Sequence, residues 1–362
     1  MSRARYRCAL GIWIPQFAPA VESDLARLRA LADGDGPGAH GLLLALAFRA
    51  VFKGEPREEI IGMVERGLSG IEAEAGHPTS PVAWAVRSLT FLDELDRAEA
   101  VLADMFAHAQ RTGSAPTFAA ASVCRAALAL RRGMIEAAEE DARRALELVA
   151  THQIAFLSPH AHTHLGEALL ERGELDEAAA LLEGADLAAM RGSRPEALFL
   201  YTRGRARLAR GDVAVGVADL RSCLSIQESV GFANPNVMAC RSTLALSLPT
   251  SQRHEARSLV QVELDQARAI GQPRAIGVAL RAQALLSGHD QAIPLLRDAV
   301  ATLVGSPSRL EHSRALTDLG AALRRANQRA DAREPLRQAL DHASRSGATA
   351  LAGRARDELV AT

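Results

Sequence analysis

The sequence predicts an all-α protein built from repeated helical hairpins. Hydrophobic residues make up 48% of the 362 positions and are chiefly Ala and Leu, whereas aromatic residues make up only 4%. Arg, Glu and Asp supply most of the charge, and they are good or tolerable residues on helix surfaces. A small residue also recurs at intervals near forty positions, each time shortly after a glycine or polar turn.

The recurring residue marks eight copies of one unit, separated by 39, 40, 40, 38, 40, 36 and 40 positions. It is Ala or Gly in seven copies and Glu in the first: Glu59, Ala98, Ala138, Ala178, Gly216, Ala256, Ala292 and Ala332. A fixed period of this length is typical of a repeat protein, in which each unit buries its apolar face against the next. We therefore expect one elongated array instead of separate globular domains.

The fourth copy, LGEALLERGELDEA at 165–178, shows how a unit folds. Apolar residues at helical spacing precede Gly173, which suits the left-handed residue that ends a helix. The acidic residues after it fall in the first turn of a second helix, where they interact favourably with the helix dipole. Gly166, Gly204 and Gly320 occupy one equivalent place in three copies, where a missing side chain lets the paired helix approach closely.

This pattern resembles the tetratricopeptide repeat, although the usual unit is about 34 residues long. The resemblance implies a right-handed, tetratricopeptide-like superhelix of about eight helical hairpins, closed by a C-terminal capping helix in the segment after Arg345. We expect residues 1–40 to form an N-terminal helical segment, at 18–32, and a Gly-rich linker. We expect residues 41–362 to form the repeat array.

Charge and cysteine usage limit the classes of partner. The 42 basic and 43 acidic residues nearly cancel, so direct nucleic-acid binding by this chain is not expected. No apolar stretch is long enough to span a membrane. The short apolar run near the start ends at Pro15 without a clear cleavage site, which argues against a secretory signal. Four scattered cysteines are consistent with free thiols in the cytoplasm.

Recognisable signatures of catalysis are missing from the sequence. It contains no Walker-type GxxxxGK[ST], GxSxG, HExxH or EF-hand motif, so we expect no enzyme activity and no cofactor. His160 and His164 lie four residues apart in HAHTH, a geometry that two metal ligands can use, but nothing nearby completes a tetrahedral site. We expect a polar helix entry there, and no metal. The Asn-Pro-Asn segment at 234–236 is expected to cap the first helix of the sixth hairpin.

The first helix of each hairpin should line the concave groove. In the tetratricopeptide register the candidate ligand- or partner-binding residues are His160, Thr163, Glu167, Tyr201, Arg205, Arg241 and Arg281. Three successive arginines on one inner wall would suit an acidic ligand, because the guanidinium fork pairs bidentately with carboxylates. The alternative is that these arginines, a residue type frequent throughout the chain, are solvated or pair with glutamates of the same helix.

Several phrases extend the resemblance to one family. SPSRLEHSRALTDLGAALRRANQRADAREPLRQALDHASRSGATALAGRARDEL at 306–359 resembles the segment before the DNA-binding domain of large ATP-binding LuxR-family, MalT-like transcriptional regulators. PRAIGVALRAQALLSG, LRRGMIEAAEEDARRALEL and FRAVFKGEPREEIIGMVERGLSG look like the repeat region of the same family. The resemblance implies a sensor or interaction region that binds a protein or small-molecule effector in its groove, without the ATPase and helix-turn-helix modules.

Two other classes remain open. A free-standing scaffold would bind a peptide or protein segment along an extended polar groove. A small-molecule binder or enzyme would require an enclosed cavity with converging polar groups. Assembly into a homo-oligomer is compatible with any of the three.

Overall fold

The computed structural model describes residues 18–34, 38–70, 81–186 and 188–362. These residues form nineteen α-helices and no strand, which confirms the predicted all-α repeat architecture. The signal-like start lies outside the described residues, as do positions 35–37 of the predicted Gly-rich linker.

Two short helices, α1 (Ala18–Ser23) and α2 (Leu25–Ala32), precede the hairpins. The eight hairpins are α3 (Ala39–Lys53) with α4 (Arg57–Ser69), α5 (Pro81–Phe91) with α6 (Leu95–Thr112), α7 (Ala115–Arg132) with α8 (Ile135–Thr151), α9 (Ser158–Arg172) with α10 (Leu175–Glu183), α11 (Arg194–Ala209) with α12 (Val213–Ser229), α13 (Cys240–Ser247) with α14 (Arg253–Ile270), α15 (Pro273–Leu285) with α16 (His289–Val304), and α17 (Arg309–Arg325) with α18 (Arg329–Arg345). Helix α19 (Thr349–Val360) covers the last hairpin, as predicted.

The recurring small residues lie where the two helices of a hairpin pack together. Ala98, Ala138, Ala178 and Ala332 are completely buried on the second helices, whereas Glu59 of the first copy is exposed. Each buried alanine lies near the start of its helix, where a larger side chain would hold the two helices of the hairpin apart. The recurring small residue therefore marks the place where the two helices of each hairpin approach closely.

The predicted close approach at the helical glycines is also present. A Cβ added at Gly320 would lie 2.4 Å from Leu336 Cγ, and one at Gly166 would lie 3.0 Å from Leu182 Cδ1. Both leucines belong to the second helix of the same hairpin. Gly173 has a φ of 82° and ends α9, so it occupies the left-handed position that the sequence predicted.

The hairpins contact more than their neighbours, and here the structure differs from the expected elongated array. Phe52 of the first hairpin stacks edge-on against Phe232, which follows the fifth hairpin, with ring centroids 4.9 Å apart. Farther along, Ile135 N donates to Ser346 O at 3.1 Å, and Thr349 Oγ1 donates to Arg172 O. The superhelix thus folds back so that the third and fourth hairpins meet the eighth.

The Asn-Pro-Asn segment at 234–236 has a different role from the predicted helix cap. Asn234 Nδ2 donates to Val51 O at 2.8 Å, and Asn236 Nδ2 donates to Phe91 O at 2.8 Å. It ties the sixth hairpin to the first and second. The backbone N–H groups of Arg241 and Ser242 at the start of α13 instead donate to the Glu263 carboxylate, at 2.9 and 3.2 Å.

Candidate functional site: a charged cavity inside the superhelix

A cavity of about 130 Å³ lies inside the superhelix and is partly open to solvent. Almost all of its lining comes from the first helices of the hairpins, as the register predicted: Arg87, Thr90, Phe91, Ala127, Leu130, Arg131, Thr163, His164, Glu167, Glu171, Leu198, Arg205, Val237, Arg274, Ser308, Leu310, Glu311 and Arg314. Five arginines and three glutamates are among them. The cavity is therefore strongly polar and contains more basic than acidic side chains.

Glu171 joins the two sides of the cavity. Its carboxylate accepts from Arg205 at 3.1 Å and pairs with Arg314, which lies on α17. Arg205 also lies 3.8 Å from Glu167, and Glu167 Oε2 lies 3.4 Å from His164 Nδ1. The fourth, fifth and eighth hairpins thus share one chain of ion pairs.

A second group of charges meets at the Asn-Pro-Asn segment. The carbonyl oxygen of Asn236 accepts from Arg131 Nη2 at 2.7 Å and from Arg274 Nη1 at 3.1 Å. Behind this contact Arg131 Nε donates to Asp93 at 2.7 Å, and Arg274 lies 3.5 Å from Glu311. Two guanidinium groups from the third and seventh hairpins are therefore held side by side at one neutral acceptor.

The ionisation of Glu311 reflects the positive potential of the cavity. Burial alone would raise the pKa of this carboxyl, but Arg314, Arg274, Arg281 and Arg205 lower it to about 2. Arg314 Nη1 donates directly to Glu311 at 2.9 Å. In the same way, burial opposes ionisation of Glu167, yet its pKa is lowered by its hydrogen bond to His164 and by the nearby charges. Glu311 and Glu167 are thus held in the charged form.

Two of the arginines are held at an energetic disadvantage. Burial, together with the nearby charge of Arg274, lowers the pKa of Arg131 to about 10, although Asp93 opposes the shift. Burial also lowers the pKa of Arg87 to about 10. A charged group whose pKa is shifted against ionisation would gain from an additional charge of opposite sign nearby.

Some of the predicted groove residues meet at this cavity. Thr163, Glu167 and Arg205 line it. Tyr201 lies just behind, with the Arg205 guanidinium 5.5 Å from its ring centroid and its hydroxyl 3.1 Å from Thr243 Oγ1. The fourth and fifth hairpins therefore present the predicted residues together.

Arg241 and Arg281 are not in the cavity lining. Arg241 Nη2 pairs with Glu228 at 3.1 Å, and Arg281 Nε pairs with Asp318 at 2.5 Å. Asp318 is almost completely buried and also pairs with Arg354 of α19. Neither pair lies within one helix, because Glu228 belongs to the preceding helix α12 and Asp318 to α17 of the next hairpin.

The three histidines of HAHTH point to different partners. His160 is buried with Nε2 3.3 Å from Arg87 Nη1, and His162 Nδ1 lies 2.8 Å from Ser158 O. His164 lines the cavity beside Glu167. The segment therefore supplies Thr163 and His164 to the cavity, whereas His160 and His162 are not part of its lining.

Sequence reasoning missed Glu171 of α9 itself and the charged residues from the distant hairpins: Arg87, Arg131, Arg274, Glu311 and Arg314. The available signal was a charged residue on the otherwise apolar face of a first helix, as at Arg314 in α17. This signal is weak, because arginine is frequent throughout the chain.

No family model matches the chain, and no curated protein matches it. Similar solved structures include the apo form of RapI, with a TM-score of 0.46, 13% identity and coverage of 73% of this chain and 76% of that one. BtubC from P. vanneervenii has a TM-score of 0.39, 15% identity and coverage of 60% of this chain and 90% of that one. Similarities this low carry no inference about function.

Within the described ranges the fold and cavity define a helical-repeat protein with a charged interior. No helix there is both long and apolar enough to cross a bilayer.

Proposed function

We propose that this chain is a regulatory, effector-binding helical-repeat domain without catalytic activity of its own, and that the effector is a small molecule held in the central cavity. The observation that carries the proposal is the position of the cavity. It lies where α9 and α17 meet, so a molecule bound there contacts hairpins four repeats apart. Binding at such a junction would stabilise one arrangement of the superhelix over others.

The contacts around the cavity support a small effector over a peptide lying along an open groove. The Asn-Pro-Asn segment crosses toward the first and second hairpins, and Thr349 contacts Arg172 beside the Glu171–Arg314 pair. An extended peptide needs a continuous groove. A compact ligand needs only a cavity with a few converging polar groups.

The resemblance of 306–359 to MalT-like regulators supports a place in signal transduction. In that family the array lies between an ATPase module and a helix-turn-helix module. A sensor region of this kind would pass effector binding to flanking modules through a change in the superhelix. The contact of α9 with α19 is suited to this, because α19 follows the last hairpin.

The proposal can be tested with a cavity-filling variant. Ala127 lines the cavity, and Ala127→Met would occupy it without removing any charge. Exposed Ala301 on α16 offers the matched control, Ala301→Met. A panel of small metabolites would be screened by thermal shift, and hydrogen exchange of α9 and α19 measured with any compound that binds.

We expect a binder that raises the melting temperature of the wild type and of Ala301→Met, slows exchange in α9 and α19, and fails to stabilise Ala127→Met. Binding that is unaffected by Ala127→Met would place the effector elsewhere. A panel without binders, combined with selection of a groove-binding peptide from a library, would favour the scaffold alternative.

A further inference from the structure

We propose that the cavity recognises its ligand through an oxyanion, a carboxylate or phosphate group seated at Arg131 and Arg274; this inference rests on the proposed function of the cavity as an effector site. The two guanidinium groups form one corner of the cavity, since both donate to the carbonyl oxygen of Asn236, at 2.7 and 3.1 Å. A small carboxylate- or phosphate-bearing metabolite is the ligand class that this corner fits.

The donors at this corner are not all used. Arg274 Nε is buried and has no hydrogen-bond partner in the part of the chain that the structure describes. The Asn236 carbonyl that Arg274 and Arg131 share carries no charge. Guanidinium groups bind carboxylate and phosphate oxygens through two parallel N–H donors, and a buried donor without a partner costs free energy. An oxyanion at this corner would satisfy Arg274 and place a negative charge between two cations.

The carboxylates already in the cavity show that it favours negative charge. Burial opposes ionisation of Glu311 and Glu167, yet both stay charged. Arginines lower the pKa of Glu311, whereas His164 and then Arg205 and Arg274 lower the pKa of Glu167. Burial and the closeness of Arg274 make the charged form of Arg131 less favourable than usual. A ligand oxyanion would be stabilised by the same guanidinium groups and would relieve the repulsion between Arg131 and Arg274.

The size of the cavity and the apolar part of its lining narrow the ligand class further. Its volume of about 130 Å³ is close to the roughly 150 Å³ of a cavity that binds benzene, so about six heavy atoms fit inside it. Phe91, Leu130, Leu198 and Val237 supply an apolar part of the lining. A short carbon skeleton with an oxyanion at one end matches both the volume of the cavity and its mixed polar and apolar lining.

The test uses four probes of similar size on the full chain: succinate, its neutral diamide succinamide, the diamine putrescine, and inorganic phosphate. Isothermal titration calorimetry would compare the wild type with Arg274→Gln and with Arg268→Gln. Arg268 is an exposed arginine on the neighbouring hairpin, so its substitution removes the same charge away from the cavity. Arg274→Lys is included because it keeps the positive charge and loses the two parallel N–H donors of the guanidinium group.

We expect succinate or phosphate to bind the wild type and Arg268→Gln equally within about twofold. Arg274→Gln should weaken binding at least tenfold and Arg274→Lys by an intermediate factor, whereas succinamide and putrescine should not bind. Succinate binding would identify a carboxylate ligand, and phosphate binding alone would identify a phosphate-bearing one. Circular dichroism would verify that each variant is folded, and Arg274→Lys carries the test if Arg274→Gln is not.

Two results would overturn the inference and are distinguishable from failure of the proposed function. If putrescine binds and the anions do not, the glutamates recognise the ligand. The second result is a neutral metabolite whose binding is lost in Ala127→Met but unchanged in Arg274→Gln. This result would confirm the cavity as the effector site and exclude recognition through an oxyanion. Anion binding that Arg274→Gln leaves intact would also exclude this corner.

Discussion

Glu171 of α9 and Arg314 of α17 form an ion pair between residues 143 positions apart. The same carboxylate accepts from Arg205, so one glutamate neutralises cations from two other hairpins. This pair, together with Thr349 and Arg172 beside it, joins the middle of the array to its last hairpin. The pair is one of the contacts that hold the fourth and eighth hairpins together.

Removing the carboxylate of Glu171 should destabilise the fold. Glu171→Ala leaves two largely buried guanidinium groups without this partner, which costs about 3 kcal/mol in comparable buried pairs. Urea unfolding followed by circular dichroism would measure the loss. As control, Glu140→Ala removes an exposed partner of Arg144 within one helix, and its cost should stay below about 0.5 kcal/mol. Equal effects of the two variants would contradict a joining role for Glu171.

Adding a methyl group at Gly320 should also be costly. The new Cβ would lie 2.4 Å from Leu336 Cγ, so Gly320→Ala must push α17 and α18 apart, at a cost of about 1–3 kcal/mol. Gly353 of α19 is the matched control, because nothing lies within 4 Å of a Cβ there. Gly353→Ala should stabilise the chain by about 0.5–1 kcal/mol through helix propensity. Thermal unfolding would give both signs, and stabilisation by both variants would refute the close-packing explanation.

The histidine pair of the last hairpin should make stability depend on pH. The rings of His312 and His342 lie 5.5 Å apart, and burial lowers the pKa of both from the ordinary value of 6.5, the pKa of His312 also because His342 is close. As the pH falls, both imidazoles therefore become protonated in the unfolded chain before they do in the folded one. Stability should be complete above pH 6.5 and decrease as the pH falls from there through the folded-state pKa values.

Melting temperatures between pH 7.5 and pH 5 would measure this dependence. A double variant with glutamine at His312 and His342 should lose part of the decrease, and the remainder includes buried His160, whose pKa is also lowered. His254→Gln, at an exposed position, should retain the full decrease. An unchanged decrease in the double variant would exclude the pair as its source.

The Asn-Pro-Asn segment should stabilise the first hairpin from a distance of 183 positions. Asn234→Ala removes a buried hydrogen bond to Val51 O and leaves the N–H of Asn236 without its acceptor, for a loss of about 2 kcal/mol. Hydrogen exchange should accelerate in α3 as well as near residue 234. An exposed amide on α16 provides the control, Gln291→Ala, which should leave α3 unchanged. Exchange that accelerates only next to residue 234 would argue against a long-range tie.

The hairpins could be predicted because each follows a local rule. Within fourteen positions the sequence specifies one hairpin. Gly166 and Ala178 allow the two helices to approach closely, and Gly173 makes the turn between them; the same pattern recurs along the chain. The closure of the superhelix could not be predicted in this way. It depends on pairs such as Asn234 with Val51, whose side chains have no periodic relationship.

The candidate site shows the same division. Thr163, Glu167 and Arg205 could be placed on the inner wall from the register of a single hairpin. Arg274 and Arg131 could not, because their role follows from the approach of the third and seventh hairpins to one carbonyl. Arg241 shows the limit of register alone, since a neighbouring glutamate decides its orientation.

The contact of Thr349 with Arg172 also bears on the order of events during synthesis. Hairpins depend on local contacts and can form as the chain leaves the ribosome, whereas contacts between distant positions form slowly. Arg172 at the end of α9 meets Thr349 of α19 only after 177 further positions have been translated. Glu171 likewise meets Arg314 only after 143 further positions, so the lining of the cavity is completed late in synthesis.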